Sequence, residues 1–367
     1  MLLPTLAPGR HALAWLAVAL IPAFTVTALV ARAHHHEQHR LAIDWHARGE
    51  TALAQHRAND AVDAFRTALT YDRDDRVLRL RLAQSLMAAG RDTEARAHLV
   101  TLWDDQPGNG PVNLELGRVA ASEGDVPDAL RHYHNAIEGA WTDEAESRRR
   151  AARLELAQFL VDRRAVPQAQ AELIALAADP PSDAQSRGRL ADLLLDVDLP
   201  RQALPIFEQL LVEHPRERAV IRGAGRAAFA LGSDALARRY LARAAAADPA
   251  DQETATLLEI VRLEETLDPF ARRLPSRARI ARTLRAIDAA QARVTCLGSD
   301  PQAAALASDL AAMRTGVQST AADRESTDDA MDLVLRVEQA TATSCGAPPP
   351  IDRALRRIVE RRQGAGG

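Results

Sequence analysis

Few residues in this chain have the types and spacing that chemistry needs. Cys296 and Cys345 are its only cysteines. They are too far apart for a Cys-x-x-Cys redox or metal pair, which leaves a disulfide closing a long loop, worth roughly 4 kcal/mol in a chain-entropy account, or two unrelated buried thiols. His34, His35, His36 and His39 crowd one short stretch and could ligate a transition metal. No cysteine or carboxylate cluster completes a site there, so residues 34–41 read as a polar, histidine-rich linker. His132 and His134 are two residues apart and point to different faces of a helix, which makes a poor chelate and predicts two surface histidines. The sequence has no Gly-rich phosphate loop, no His-Glu-x-x-His and no Gly-x-Ser-x-Gly. No catalytic residue, cofactor or metal is expected, and the chain reads as a non-enzyme.

The elements around these residues must therefore carry the function. Of 367 residues, 47% are apolar but only 4% aromatic, which suits small-residue helix packing and argues against a β-sandwich. The net charge of −4 gives no reason to expect nucleic acid. All 46 basic side chains are arginine, a bias that fits a GC-rich bacterial genome.

A period of 34 residues runs from Trp45 to Pro249. In register it gives six units, starting at Ala42, Arg76, Gly110, Arg150, Ala184 and Arg218. The eighth position is always small: Gly49, Ala83, Gly117, Ala157, Ala191, Gly225. The twentieth is always alanine: Ala61, Ala95, Ala129, Ala169, Ala203, Ala237. The twenty-fourth is bulky: Phe65, Leu99, Tyr133, Leu173, Phe207, Leu241. Such a period predicts stacked helical hairpins, each burying its apolar face only against its neighbours, with the bulky residue plugging the gap between adjacent hairpins. Pro107, Pro181, Pro215 and Pro249 end second helices, and Gly90, Gly124 and Gly232 mark inter-helix turns. Six extra residues near 142–149 interrupt the spacing once, which predicts a longer first helix in the fourth unit.

These positions resemble the tetratricopeptide repeat (TPR) family over residues 42–251. The resemblance implies an all-α superhelical solenoid that works by holding a protein partner. In that family the partner groove is lined by the second, fifth, ninth, twelfth and thirteenth positions of the first helix. On this sequence the implied groove includes His46, Glu50, Leu80, Gln84, Met87, Arg118, Gln158, Asp192, Asp196, Arg222, Arg226 and Phe229. Its middle is acidic, with Asp162 beside Asp192 and Asp196, and its end basic. The converging cations with which some members clamp a terminal carboxylate are absent. The layout is similar to envelope-assembly TPR proteins, but the Cys-x-x-Cys module that ends some of them is missing.

The flanks supply context. Residues 12–31 are 20 residues without charge; as a helix they would be about 30 Å long, enough to span a bilayer. This length favours a transmembrane anchor within residues 1–33 over a signal peptide cleaved near Ala33. Arginine placement argues for a cytoplasmic body and the cysteines for a periplasmic one; the reading adopted is a bacterial inner-membrane protein with its soluble part in the periplasm. Residues 252–269 read as a capping helix, with Glu253, Glu259, Glu264 and Glu265 facing water. Residues 270–367 read as a helical appendage, with helices at about 276–295, 301–317, 328–342 and 352–362.

Overall fold

The computed structural model describes the backbone of residues 9–298, 300–319, 324–342 and 344–364, and side chains from residue 24 onward except 319, 324 and 364. The regular structure described is helical throughout. It divides into two compact units, residues 1–159 and 160–367, with the boundary inside one helix.

The first unit begins with α1 (Gly9–Ala54), a helix of 46 residues. The histidine-rich stretch does not interrupt it. His34 and Gln38 are 3.1 Å apart across one turn, and His39 lies 4.0 Å from Asp72. The anchor expected at 12–31 falls largely on residues whose side chains lie outside those described. Among the described residues no helix is long and apolar enough to cross a membrane. Where side chains are described, Phe24, Val26, Leu29 and Val30 are all more than half exposed.

The end of α1 pairs with α2 (Ala58–Tyr71) as the first hairpin. The second is α3 (Arg76–Ala88) with α4 (Asp92–Asp105), and the third is α5 (Gly110–Glu123) with α6 (Val126–Glu138). Then comes α7 (Ala145–Asp162), longer than its counterparts at 18 residues. Side-chain caps fix several starts. Asp75 accepts the Val77 and Leu78 amides at 2.7 and 3.0 Å, Asn109 accepts Val112 at 3.1 Å, and Asp125 accepts Asp128 at 3.1 Å. Each such cap contributes about 1 kcal/mol. The segment between α6 and α7 forms a brace just ahead of the extra residues: Gly110 N donates to Ala140 O at 2.9 Å, and Ala140 N to Gly108 O at 2.8 Å. The Trp141 ring lies over Gly110, where no side chain would fit.

The second unit continues with α8 (Val166–Ala178), the hairpin α9 (Ala184–Asp196) and α10 (Pro200–Glu213), and the hairpin α11 (Arg218–Ala230) and α12 (Asp234–Ala247). Next is α13 (Gln252–Leu267), and then the appendage of α14 (Ser276–Val294), α15 (Pro301–Ser319), α16 (Arg324–Thr341) and α17 (Pro350–Gly364). The appendage shares a core with the end of α13, including Leu267, Ile287, Leu310, Val334 and Leu355.

The small eighth position has a direct cause. A methyl group at Gly49 would sit 2.5 Å from the Phe65 ring, and one at Gly225 would sit 2.8 Å from Leu241. The bulky residue thus packs on the small one of its own hairpin. Phe207 also fills the space left by Gly223 in the next hairpin, so the plug works in both directions. The inter-helix turns reveal a second rule. Gly90, Gly124 and Gly232 have φ of 71, 80 and 68°, and His56, Arg164 and Asp198 hold the same register position at 56, 57 and 59°. All six turns are left-handed, but only three use the residue that tolerates this freely.

Candidate functional site

The implied groove residues of the first unit do not stand as free contacts. They form a polar ladder. Glu50 is 3.0 Å from Arg81 Nε and 3.6 Å from His46. Arg81 donates to Gln84 at 2.9 Å, and Gln84 Nε2 donates to the buried Glu115 at 2.8 Å. Glu115 also takes Arg118 Nη1 at 3.0 Å. Arg118 then forks onto both oxygens of Glu155 at 2.8 Å, and Tyr133 donates to the same carboxylate at 2.9 Å. Each rung joins the ninth position of one repeat to the sixth position of the next. Burial and the adjacent carboxylate push the Tyr133 hydroxyl pKa upward, and the Glu155 fork raises that of Arg118. The rungs Arg81, Glu115 and Glu155 were not among the expected groove residues, although their fixed spacing was present in the sequence. Gln158, next in the row, is half-buried and engages neighbours too.

With its polar groups tied up, this face offers apolar surface instead. Leu80 and Met87 are half-buried against the core, and Val77 is 59% exposed. Leu80 and Val77 line a cavity of about 200 Å³ together with Leu102, Pro111, Val112 and Ala140. Ala140 of the brace and Thr142, where the 34-residue spacing is interrupted, build one wall.

In the second unit the basic end is also paired. Arg222 lies 3.8 Å from Asp251, and Arg226 lies 3.4 Å from Glu253 and 4.0 Å from Asp196. Asp192 has no rung, because the matching sixth position is Gly223. Desolvation raises its carboxyl pKa, against the pull of Arg226. Phe229 is partly covered by the last helix. Arg357 of α17 lies 3.8 Å over its ring and donates to its carbonyl at 2.9 Å. The same arginine reaches Glu264, which is 1% exposed rather than facing water. Arg361 adds contacts to Glu264 at 3.2 Å and to Asp234 at 2.7 Å. The last helix is thereby clamped onto the end of the repeats.

The residues considered for chemistry fall elsewhere. Cys296 and Cys345 are bonded, with Cα atoms 5.6 Å apart. Beside them Arg293 reaches the buried Asp352 at 3.4 Å and the Gly346 carbonyl at 3.0 Å. Burial, with Asp352 close by, pushes Glu338 up to about 7. His132 is buried, contrary to its reading as a surface residue. Its Nδ1 is 3.0 Å from Asn113 Oδ1, while the Asn113 amide donates to Pro107 O at 2.7 Å and Asn109 O at 2.9 Å. Desolvation lowers the His132 pKa. Among the described residues, no group of three or more His, Cys, Asp or Glu side chains is placed to hold a metal.

Tetratricopeptide repeat models match residues 52–114 and 188–252. No curated protein matches the chain. Several solved structures are similar. A tetratricopeptide repeat protein from Parabacteroides merdae is 12% identical, with 81% of this chain and 99% of that one covered and a TM-score of 0.41. The C-terminal part of a TPR repeat-containing protein from Cytophaga hutchinsonii is 11% identical, covering 82% and 98%, at 0.46. PilW, described as a widely conserved type IV pilus biogenesis factor, is 17% identical, covering 61% and 98%, at 0.43. With two matched segments, an all-helical architecture and the small-bulky packing of each hairpin, the chain is a tetratricopeptide repeat protein.

Proposed function

We propose that this chain is a non-enzymatic scaffold that holds a protein partner and assembles or stabilises a bacterial envelope complex. The observation that carries the reading is the cavity beside Leu80. The polar side chains of the first unit's groove are consumed by the ladder, and what remains is a mainly apolar hollow, with Arg76, Gln106, Asn109 and Thr142 also on its walls, fit for one or two side chains of another protein. Recognition then rests on insertion of an apolar side chain, with charge in a minor role.

The test is affinity purification of the partner with wild-type chain and with Leu80→Glu or Val77→Asp. Either substitution is expected to abolish recovery of the partner while the helical signal stays intact. Unchanged recovery would refute this face as the site. Substituting Arg222 or Arg226 is a poorer test, since both hold internal carboxylates.

Two features support a tether and an oxidising compartment. Residues 12–31 carry no charge, and the described part of that stretch presents Phe24, Val26, Leu29 and Val30 to the surroundings. The bonded Cys296–Cys345 pair suits the periplasm. On this reading the chain sits in the inner membrane with its repeats in the periplasm. The competing reading is a cytoplasmic-facing adaptor that recruits a soluble enzyme. Alkaline phosphatase fused after Gly367 should be active; an inactive fusion with a fluorescent GFP counterpart would favour the adaptor.

A further inference from the structure

The loop after α13 and the first turns of α14 concentrate positive charge. From Pro269 to Ile287 there are six arginines (272, 273, 277, 279, 282 and 285) and no carboxylate. Elsewhere in the unit arginines find acids, as Arg238 does with Glu265 and Arg361 with Asp234. Here Arg282 is used on the Asp268 carbonyl at 2.8 Å. Arg272, Arg273 and Arg279 make no ion pair among the described residues. These three line one cavity of about 230 Å³, completed by Phe270, Ala271 and Thr327.

The surroundings leave that charge uncompensated. Asp268 Oδ1 is occupied by the Phe270 amide at 2.8 Å, and Asp328 pairs with Arg362 at 3.4 Å. Helix α14 starts behind Pro275, with no side-chain cap and no acid in its first turn. Its open amide donors and the positive end of its dipole therefore add to the arginines. Arg277 and Arg279 sit at the helix end where cations are disfavoured, an arrangement that an anion would relieve.

We infer that this cavity binds a phosphate-bearing anion. Guanidinium forks match phosphate oxygens two at a time, and a phosphate group brings up to two charges and several acceptors into one small volume. The cavity is larger than one phosphoryl group needs, so a diphosphate or a phosphorylated small headgroup fits its size. An acidic peptide would spread its charge over a longer surface than these three arginines cover.

The probes are inorganic pyrophosphate, measured by calorimetry, and vesicles containing phosphatidylglycerol, measured by co-sedimentation, both with the full chain. Wild type is expected to bind one of them in a salt-dependent manner. Arg279→Gln should weaken that binding about tenfold or more. The double variant Arg272→Gln/Arg273→Gln alters exposed residues only, and should do the same with circular dichroism and thermal midpoint unchanged. Loss of pyrophosphate binding in the variants identifies a soluble phosphorylated ligand, and loss of vesicle binding alone identifies a lipid headgroup. Binding of neither probe, or binding indifferent to both variants, overturns the site. So does an equally tight glutamate-rich peptide, because phosphate would then not be what is recognised.

Discussion

Glu264 lies buried at the end of α13 and accepts Arg357 Nε, 93 residues further along the chain, at 2.5 Å. Removing one partner of a buried pair leaves the other charge without its counterpart, typically at a cost of 3–5 kcal/mol. Arg361 stays 3.2 Å away, so Arg357→Ala alone should cost about 2 kcal/mol and Arg357→Ala/Arg361→Ala about 4. Glu264→Leu in the double background should recover most of the loss. Denaturant midpoints of the four proteins check this; a neutral double variant would mean that α17 is not held by these charges.

The left-handed turns give an opposite expectation. An L-residue in that conformation costs roughly 1–2 kcal/mol, partly offset by the greater unfolded freedom of glycine. His56→Gly and Arg164→Gly should each stabilise by about 0.5–1 kcal/mol. Asp198→Gly should gain less, because aspartate tolerates the region better. Thermal midpoints for the three single variants rank them.

One substitution at two glycines should have opposite signs. Gly188 in α9 has open space around its missing Cβ, so Gly188→Ala should gain about 0.5–1 kcal/mol of helix propensity. Gly223 faces the Phe207 ring, and Gly223→Ala should lose about 1–3 kcal/mol to overpacking. Adding Phe207→Leu should return part of that loss. Urea unfolding of the three variants reads the difference.

Acidity acts on two buried groups in contrary directions. Glu338 has its folded pKa raised to about 7 from an ordinary 4.5. The folded chain therefore keeps a proton that the unfolded chain has lost, and stability falls as pH rises from 4.5 towards 7. Such a shift is worth about 3 kcal/mol. His132 has its folded pKa lowered below 6.5, so its contribution is lost as pH falls below that value. Glu338→Gln should flatten the loss on the alkaline side. His132→Gln should flatten the loss on the acid side. Unfolding midpoints between pH 4.5 and 7.5 would show whether the two limbs separate.

Much of the hairpin architecture was legible because its determinants are local. Helix starts at Arg76, Gly110, Ala184 and Arg218 coincide with the repeat register, since the small and bulky positions act within one hairpin, as do the Asp75 cap and that of Asp183, which accepts the Ser186 amide at 2.7 Å. The earlier start of the fourth repeat's first helix, at Ala145, follows from the six-residue interruption. What the sequence hid depends on contacts between distant segments. Glu264 looks like any solvent-facing glutamate until α17 returns to cover it. Phe229 reads as a groove residue for the same reason. His132 gave no local sign of burial, because its partner Asn113 sits in the preceding helix of the hairpin. The groove is readable as a set of positions, but the internal pairing of its charges is not. Pairing between ninth and sixth positions is a relation between repeats, and no repeat displays it alone.

That relation also makes the repeats of the first unit non-interchangeable. If the second and third were exchanged, Glu50 would meet Glu115 and Arg118 would meet Arg81, with like charges on both steps. Only Gln84, uncharged, would accept its new neighbour, Glu155. The ladder thus works as an address written across the hairpins, one that fixes their order in the chain as firmly as their packing fixes their spacing.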